Sequence, residues 1–534
     1  MSITAEQKQE REQQRVWAEA QAQAPGAVRQ GEAGAPHAAG VRPVGPPGPK
    51  SPGGPRPGGP LPVRHLAANL RSRWASLPAR LRLLRTAGLA LAGALLVLLA
   101  TAGLALSDAL DAIETRHVPR TTSAAGLNLA LGDMDAQAAN TLLASGDAGT
   151  GRLETSYKKA TELYVTARRT VSRELRTLAV AADGDPRAER VVEDLTENFA
   201  RYQELIGRAL ENDGRTGGKP AARDDYRTAL QLLKSKLLPE SRELTDTNNA
   251  VYAAEVDAAR DRITAECAVA LLLGLALLAL LGVLQWYVAR RFRRILNPPL
   301  LAATACTLLA LGLGGQVLLS SSEHLRIARS DAFDSVVALS RARASAYDLN
   351  ADESRYLLFA DDRDAYQESY FATSQQLYEI RGTTFDTYNR DLDRTWSAYR
   401  ADHTDLRFGG EFRRELDNIT FPGERKAAEA TVRAYAVYQR DDRTLRALVA
   451  RGQERAAVAF GIGWQPGQSN AHFGAWMTAL GRTVDINHLH YEQATAEGRS
   501  LLTGPLPLAG GALVVAAGLV VRGLRPRLRE FSNP

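Results

Sequence analysis

The 534-residue sequence predicts an all-α membrane protein with four transmembrane helices and two helical domains outside the cytoplasm. Two observations predict this fold class. Four apolar runs without charged side chains are each about 20 residues long, which is enough to cross a hydrocarbon core of about 30 Å. Long charged segments separate the first run from the second and the third from the fourth, and apolar residues recur in them at helical spacing. The charged segments are therefore expected to fold as helical bundles.

The predicted spans lack the charged residues that are typical of a transport path. No carboxylate or lysine lies in the middle of a span, so a transporter subunit is disfavoured.

Cys267 and Cys306 lie in or beside apolar runs, so no disulfide can form within either charged segment. The first run lies too far from Met1, and is too long, for a secretory signal peptide. The spans are residues 86–106, 265–287, 299–319 and 501–521.

The arginines beside the spans predict the orientation. Residues 64–85 carry six arginines before the first span, and further clusters lie in residues 288–298 and after the fourth span, in residues 522–534. Four spans place all three clusters on one side, which the positive-inside rule assigns to the cytoplasm. Both termini are thus predicted to be cytoplasmic, in a multi-pass protein of the cell membrane. The net charge of +6 is explained by lipid rather than by nucleic acid. The predicted inner readout and membrane-surface residues are Arg290, Arg291, Arg293 and Arg294.

The first 85 residues divide into two parts. Residues 1–62 are dense in glycine and proline towards their end, and predict a disordered cytoplasmic tail. This tail is interpreted either as a spacer or as a docking segment with polyproline II structure. Residues 63–85 alternate leucines with arginines at helical spacing, which predicts a basic juxtamembrane helix on the inner membrane surface.

The two outer segments show the same plan. Residues 107–264 have breaks at 145–151, 183–186 and 211–220, which predict four helices. Residues 320–500 have breaks near 361–362 and at 407–410, 421–423 and 461–468. AQAANTLLASGD at residues 136–147 resembles ADESRYLLFADD at residues 351–362. With the repeated order of span, bundle and span, this predicts an internal duplication.

Motifs for catalysis or cofactor binding are not found, so the protein is predicted not to be an enzyme and to need no cofactor. His488 and His490 are two positions apart and do not share a helix face, so no metal site is predicted. The acidic stretch around residue 353 could bind a cation or a partner. The favoured interpretation is a solvated, membrane-distal tip, in which Arg355 forms an exposed ion pair worth at most about 1 kcal/mol. The predicted partner-binding residues are Asn140, Asp352, Glu353, Arg355, Asp361 and Asp362.

Two spans that bracket an external helical bundle resemble the sensor domains of bacterial chemoreceptors. The HAMP linker, methyl-accepting coiled coil and kinase domain that normally follow in those proteins are not found in this sequence. A closer resemblance is to the four-span actinobacterial membrane proteins of the GlnX family. It is carried by the order of spans over residues 86–530, by ADESRYLLFADD, and by ITFPGER at Ile419–Arg425.

The GlnX resemblance implies partners on both sides of the membrane. Outside, it implies a solute-binding lipoprotein that takes up glutamate or aspartate. Inside, it implies a soluble Ser/Thr kinase, PknG, that receives the signal. The preferred hypothesis is therefore a non-enzymatic transmembrane signal relay, in contact with membrane lipid and able to form a homodimer. The alternative is a structural or scaffold protein of the cell envelope.

Overall fold

The computed structural model describes residues 77–146, 152–292 and 297–529. The predicted tail of residues 1–62, most of the juxtamembrane segment and Arg293 and Arg294 lie outside the described residues. In chain order, the described α-helices are α1 (Leu77–Ala112), α2 (Val118–Ser145), α3 (Glu154–Ala182), α4 (Pro186–Asp213), α5 (Lys219–Leu232), α6 (Leu238–Phe292), α7 (Pro298–Arg326), α8 (Asp334–Leu358), α9 (Arg363–Leu377), α10 (Tyr388–Ala401), α11 (Glu411–Asp417), α12 (Glu424–Ala450), α13 (Glu454–Gly461), α14 (Ser469–Thr503) and α15 (Pro505–Arg529).

The predicted all-α class with four apolar spanning helices is confirmed. Within the described residues no strand forms, and one isolated bridge pairs Glu379 with Gly409. Four helical stretches are long and apolar enough to cross a membrane, so the chain is a multi-pass membrane protein. These stretches are Ala79–Ser145, Lys219–Arg290, Pro298–Leu358 and Ser469–Pro526.

The spanning helices pack closely where a glycine faces a neighbour. A Cβ atom on Gly274 of α6 would lie 2.2 Å from a methyl group of Leu311 on α7. A Cβ atom on Gly103 of α1 would lie 2.3 Å from a methyl group of Leu506 on α15. Small residues thus let the helices approach within the membrane. Leu271 and other large apolar side chains of the spans point outwards and remain available to lipid.

Three of the four spans continue into the outer region without a break. A π-helical segment, Ile113–His117, joins α1 to α2, and a second, Ile327–Phe333, joins α7 to α8. A third, Leu233–Leu237, joins α5 to α6, which itself enters the membrane. The fourth span differs because Gly504, with φ −107° and ψ −85°, separates α14 from α15.

The first two π-helical segments occupy corresponding positions, shortly after the first and third spans. An internal duplication would place a π-helical segment at the same position in each half of the chain. Segments of this kind are rare and often lie at functional sites. The helix junctions just outside the membrane are therefore candidates for local rearrangement.

Helix ends in the first outer segment match the predicted breaks. The helices α2, α3 and α4 end at Ser145, Ala182 and Asp213. Asp185 caps α4, because its carboxylate accepts hydrogen bonds from the backbone N–H groups of Arg187 and Ala188. The second outer segment has more helices than its predicted breaks imply. Additional breaks at residues 378–387 and 451–453 isolate α10 and α13.

One hydrophobic core joins the two outer segments. It contains Leu131 and Tyr202 of the first segment and Leu358, Phe359 and Leu445 of the second. The core forms because α2 packs along α8. A second core, rich in aromatic side chains around Trp476, lies within the second segment. The two segments therefore do not fold as isolated lobes, and the interface between them is a structural unit of its own.

Candidate functional site

A ladder of ion pairs crosses the interface between the two outer segments. Its rungs start from one face of α8, where charged residues are spaced by seven, four and three positions. Three partners on the first segment, Lys234, Arg242 and Asp246, follow in the opposite order, as expected for an antiparallel neighbour, whereas the fourth partner, Asp135, lies on α2. We call these four pairs the ion-pair ladder: Arg341 with Asp246, Asp348 with Arg242 at 2.9 Å, Asp352 with Lys234 at 3.5 Å, and Arg355 with Asp135.

Arg355 is the most deeply buried member of the ladder. Its guanidinium contacts the carboxylates of Asp352 and Asp135, and all three side chains are about 1% exposed. Its Nε donates to the hydroxyl of Tyr226 at 3.3 Å. Asp135 also accepts a hydrogen bond from the hydroxyl of Tyr202 at 3.0 Å. Buried charges need partners of this kind, since removal of one leaves the others uncompensated.

Glu353 lies on another side of α8, inside the second segment. Its carboxylate accepts hydrogen bonds from the hydroxyls of Tyr438 at 2.5 Å and Ser469 at 2.9 Å. Burial raises the pKa of Glu353 to about 8, although the bond from Tyr438 acts in the opposite direction. The carboxyl group is therefore protonated in much of the folded population at neutral pH.

A chain of amides connects the first segment to this region. The Nδ2 of Asn140 on α2 donates to Asn350 of α8, and the Nδ2 of Asn350 donates to Asn470 of α14 at 2.8 Å. The Oδ1 of Asn140 accepts a hydrogen bond from Ser354 at 2.5 Å. Three helices of both segments are thus held by polar contacts in a buried interface. Such contacts require a specific register, because an unpaired buried amide is costly.

The structure corrects the expectation of a solvated tip. Asp352, Glu353 and Arg355 are buried because α2, α9 and α14 pack against α8 and Tyr438 of α12 covers Glu353, so the pair formed by Arg355 is not an exposed one. Asn140 is buried as well. Partner binding by these residues stays a prediction, and in this state a partner does not reach their side chains.

The two remaining outer residues lie at the surface. Asp361 is exposed, and Asp362 pairs with Arg227 of the first segment at 2.9 Å. The inner residue Arg290 is also exposed, with its guanidinium 5.3 Å from the ring centre of Trp286. Arg291 lies in α6.

A cleft of about 300 Å³ opens beside the ladder. It is bordered by the rungs of Arg242 and Arg341, and Glu411 of α11 contributes a further carboxylate. Asn128 and Ser345 add polar groups from α2 and α8. Since α2, α6 and α8 continue towards the membrane, a small polar molecule in this cleft would contact three helices that lead to spans. It would also compete with the rungs for their charged groups.

Of the eight residues of the ladder, sequence reasoning singled out only Asp352 and Arg355. Asp135, Lys234, Arg242 and Asp246 carry no motif, and their neighbours are ordinary helical residues. One signal was available on α8. Charges spaced by three, four and seven positions share a face with small apolar residues such as Ala344, which is atypical of a solvated surface.

The interface should be less stable in alkaline solution. The pKa of Glu353 lies above its ordinary value of 4.5, so the folded protein binds a proton more tightly than the unfolded chain. Stability should therefore fall as pH rises from about 4.5 to about 8, and Asp133 and Glu415, with raised pKa values, add the same trend. Thermal unfolding of Glu353→Gln should show a weaker dependence on pH than the wild type.

The matched control for this measurement is Glu368→Gln, which alters an exposed carboxylate of α9. Its unfolding temperature should follow that of the wild type at every pH. An unchanged pH dependence in Glu353→Gln would contradict the assignment of the proton to that buried carboxyl group.

Fold and site together define a class: a four-span membrane protein whose outer helical segments are joined by buried charges and lead directly into the membrane. Residues 109–257 match the family model of the actinobacterial sensor domain. The matched stretch runs from the end of α1 to the middle of α6 and includes half of the ladder. No curated protein and no solved structure matches the chain. The family match supports a sensor-type actinobacterial protein with a role in sensing or signalling.

Proposed function

We propose that the protein is a non-enzymatic transmembrane signal relay. A ligand, or a ligand-loaded binding protein, acts on the outer segments, and the spans carry the change to a cytoplasmic partner such as a Ser/Thr kinase. The observation that carries the proposal is the sensor-domain match at residues 109–257, which lies on helices continuous with two spans.

The interface offers a physical route for such a signal. A ligand shifts a conformational equilibrium only by the difference in its affinity for the two states. The half-exposed rungs of Arg242 and Arg341 border the cleft, so a charged ligand or partner surface could replace Asp348 or Asp246 there. Because α6 and α8 continue into spans, altered packing of these helices would displace the spans as well.

The proposed orientation places the outer segments outside the cell and both termini in the cytoplasm. The support is the distribution of arginines, with Arg290 after the second span and Arg522 after the fourth. In this arrangement Arg290 and its neighbours face the cytoplasmic partner and the anionic inner leaflet. A solute-binding lipoprotein outside and a kinase inside remain proposals that rest on the GlnX resemblance.

The relay predicts that weakening the outer ladder changes the inner ends of the spans. Spin labels replace Arg290 and Arg522, which are both exposed, in a chain whose Cys267 and Cys306 are replaced by serine. Double electron–electron resonance in nanodiscs then measures the distance distribution between the labels. The double variant Arg242→Gln/Arg341→Gln should shift or broaden this distribution.

The control variant is Arg390→Gln, which removes an exposed basic partner of Asp391 inside the second segment. It should leave the distribution unchanged. The relay is contradicted if the double variant Arg242→Gln/Arg341→Gln leaves the distance distribution unchanged although these two ion pairs of the ladder are broken in it. The envelope scaffold, which needs no change of state, would then be the better interpretation.

A further inference from the structure

A second group of buried carboxylates lies away from the ladder, within the second outer segment. Glu415 of α11 and Glu424, the first residue of α12, are 2% and 0% exposed. Glu424 belongs to the ITFPGER motif. Asn487 of α14 is fully buried, and its side chain and that of Ser335 contact the Glu415 carboxyl group. Four helices thus meet at this point.

Several oxygen atoms of this group have no hydrogen-bond donor of good geometry, although Ser335 and Asn487 contact Glu415 closely enough to offset part of the rise in its pKa that burial causes. The Oε2 of Glu424 accepts hydrogen bonds from the backbone N–H groups of Thr420 and Phe421, at 2.8 and 3.0 Å, but its Oε1 accepts none. Neither carboxylate oxygen of Glu415 accepts a hydrogen bond of good geometry. The Oδ1 of Asn487 is also without a donor. Four buried acceptor oxygens therefore come from three side chains.

The group also lacks a basic partner. Among the described residues, neither Glu415 nor Glu424 forms an ion pair with lysine, arginine or histidine. Burial, and secondarily the charge of Glu424, raises the pKa of Glu415 to about 8. Two buried carboxylates without a counter-charge are expensive, because the charged form loses its hydration. A positive charge at this point would remove that cost.

We propose that Glu415, Glu424 and Asn487 form a binding site for a hard divalent cation, with Ca²⁺ as the occupant. The ligand set consists only of oxygen atoms, which is what Ca²⁺ prefers, and the two carboxylates balance its charge. Ca²⁺ tolerates irregular geometry, whereas Mg²⁺ requires near-ideal octahedral coordination and retains several waters. The described residues hold no cluster of three or more histidine, cysteine or acidic side chains that could bind a metal ion, so the proposed site has to draw its third ligand from the amide oxygen of Asn487.

The cation site goes beyond the proposed relay, and a bound cation would stabilise the contact between α11 and the helix junction above the third span. Asn418 follows Glu415 by three positions, and its Nδ2 donates to the carbonyls of Ser330 and Asp331, both at 3.1 Å. These carbonyls belong to the π-helical segment Ile327–Phe333 above the third span. A bound cation would fix α11 against α12 and α14, and would thereby hold Asn418 on that segment.

The test uses the full chain in nanodiscs, treated with chelator and then titrated with CaCl₂, MgCl₂ or NaCl while thermal unfolding is followed. CaCl₂ should raise the unfolding temperature, with an affinity near the range of about 10⁻⁴–10⁻³ M that is common in extracellular modules. Glu415→Gln and Asn487→Leu should lose this response. Glu353→Gln, a buried carboxylate outside the site, should retain it.

Calorimetric titration of the wild type with CaCl₂ provides a readout that does not depend on variants. The absence of both heat and a shift in unfolding temperature would overturn the proposal, and so would an undiminished response in Glu415→Gln. Stabilisation by NaCl alone would overturn the assignment to a divalent cation. None of these results depends on whether the spans relay a signal.

Discussion

Replacement of Arg355 by methionine is expected to lower the free energy of unfolding by about 3–5 kcal/mol, the usual cost of removing one partner of a buried ion pair. The guanidinium is buried between Asp135 and Asp352, and also donates to Tyr226. Without it, Asp135 remains in the interior without a counter-charge, and Asp352 keeps only Lys234, at 3.5 Å. Chemical or thermal unfolding of the purified full chain measures the effect.

Arg227→Met is the matched control, since Arg227 also forms an ion pair across the two segments but is about half exposed. It should cost at most about 1 kcal/mol. The triple variant Asp135→Asn/Asp352→Asn/Arg355→Met removes all three charges and should recover part of the loss. Equal stability of Arg355→Met and Arg227→Met would show that the buried triad is not an energetic anchor of the interface.

Substitution of Gly410 by alanine should also be strongly destabilising, for two additive reasons. Gly410 has φ +84° and ψ −172°, a conformation that is essentially restricted to glycine and costs other residues about 1–3 kcal/mol. In addition, its Cβ atom would lie 2.6 Å from the carbonyl oxygens of Gln376 and Leu377. Backbone atoms cannot move aside as a flexible side chain can, so the loop that begins α11 would be displaced.

Gly382→Ala separates these two effects. Gly382 has φ +73°, but a Cβ atom there would meet nothing within 4 Å. Thermal unfolding should therefore show a clearly smaller loss for Gly382→Ala than for Gly410→Ala. The same loss in both variants would mean that the close backbone approach at Gly410 relaxes without cost.

The spans and many helix ends could be predicted because their signals are local. An uncharged run such as residues 86–106 contains its own evidence, since its length alone matches a bilayer. Breaks such as Asp183–Pro186 contain glycine and proline, which interrupt helices wherever they occur. The breaks at residues 378–387 and 451–453 were missed, because Tyr378 and Phe385 maintain an apolar pattern across the first of them.

The interface could not be predicted in the same way. Arg355 and Asp135 are 220 positions apart, and nothing near either residue indicates the other. The acidic stretch from Asp352 to Asp364 has the composition of a solvated turn, and only its second half is one. Burial of Asp352 and Glu353 depends on α2 and α12, which are distant in the chain. Composition therefore predicted the wrong environment for the residues that matter most.

The candidate cation site illustrates a different limit. ITFPGER carries only a resemblance in the sequence, although its glutamate accepts hydrogen bonds from two backbone N–H groups of the turn that precedes α12. Its chemical meaning depends on Asn487, which lies on another helix in a stretch that carries no motif. Spacing along a chain indicates such a site only when all ligands come from one continuous segment.

Because of the interruption at Gly504, the four helices that cross the membrane differ in how they can transmit motion. The first three spans continue into the outer segments as helix, through π-helical junctions, so a tilt or shift of those segments would be passed into the spans unless the junctions absorb it. The fourth helix is interrupted at Gly504, so α14 can tilt while α15 keeps its packing against the neighbouring spans. Replacing Gly504 by a helix-forming residue would make the fourth helix continuous like the other three. Motion of the outer segments would then be resisted rather than transmitted.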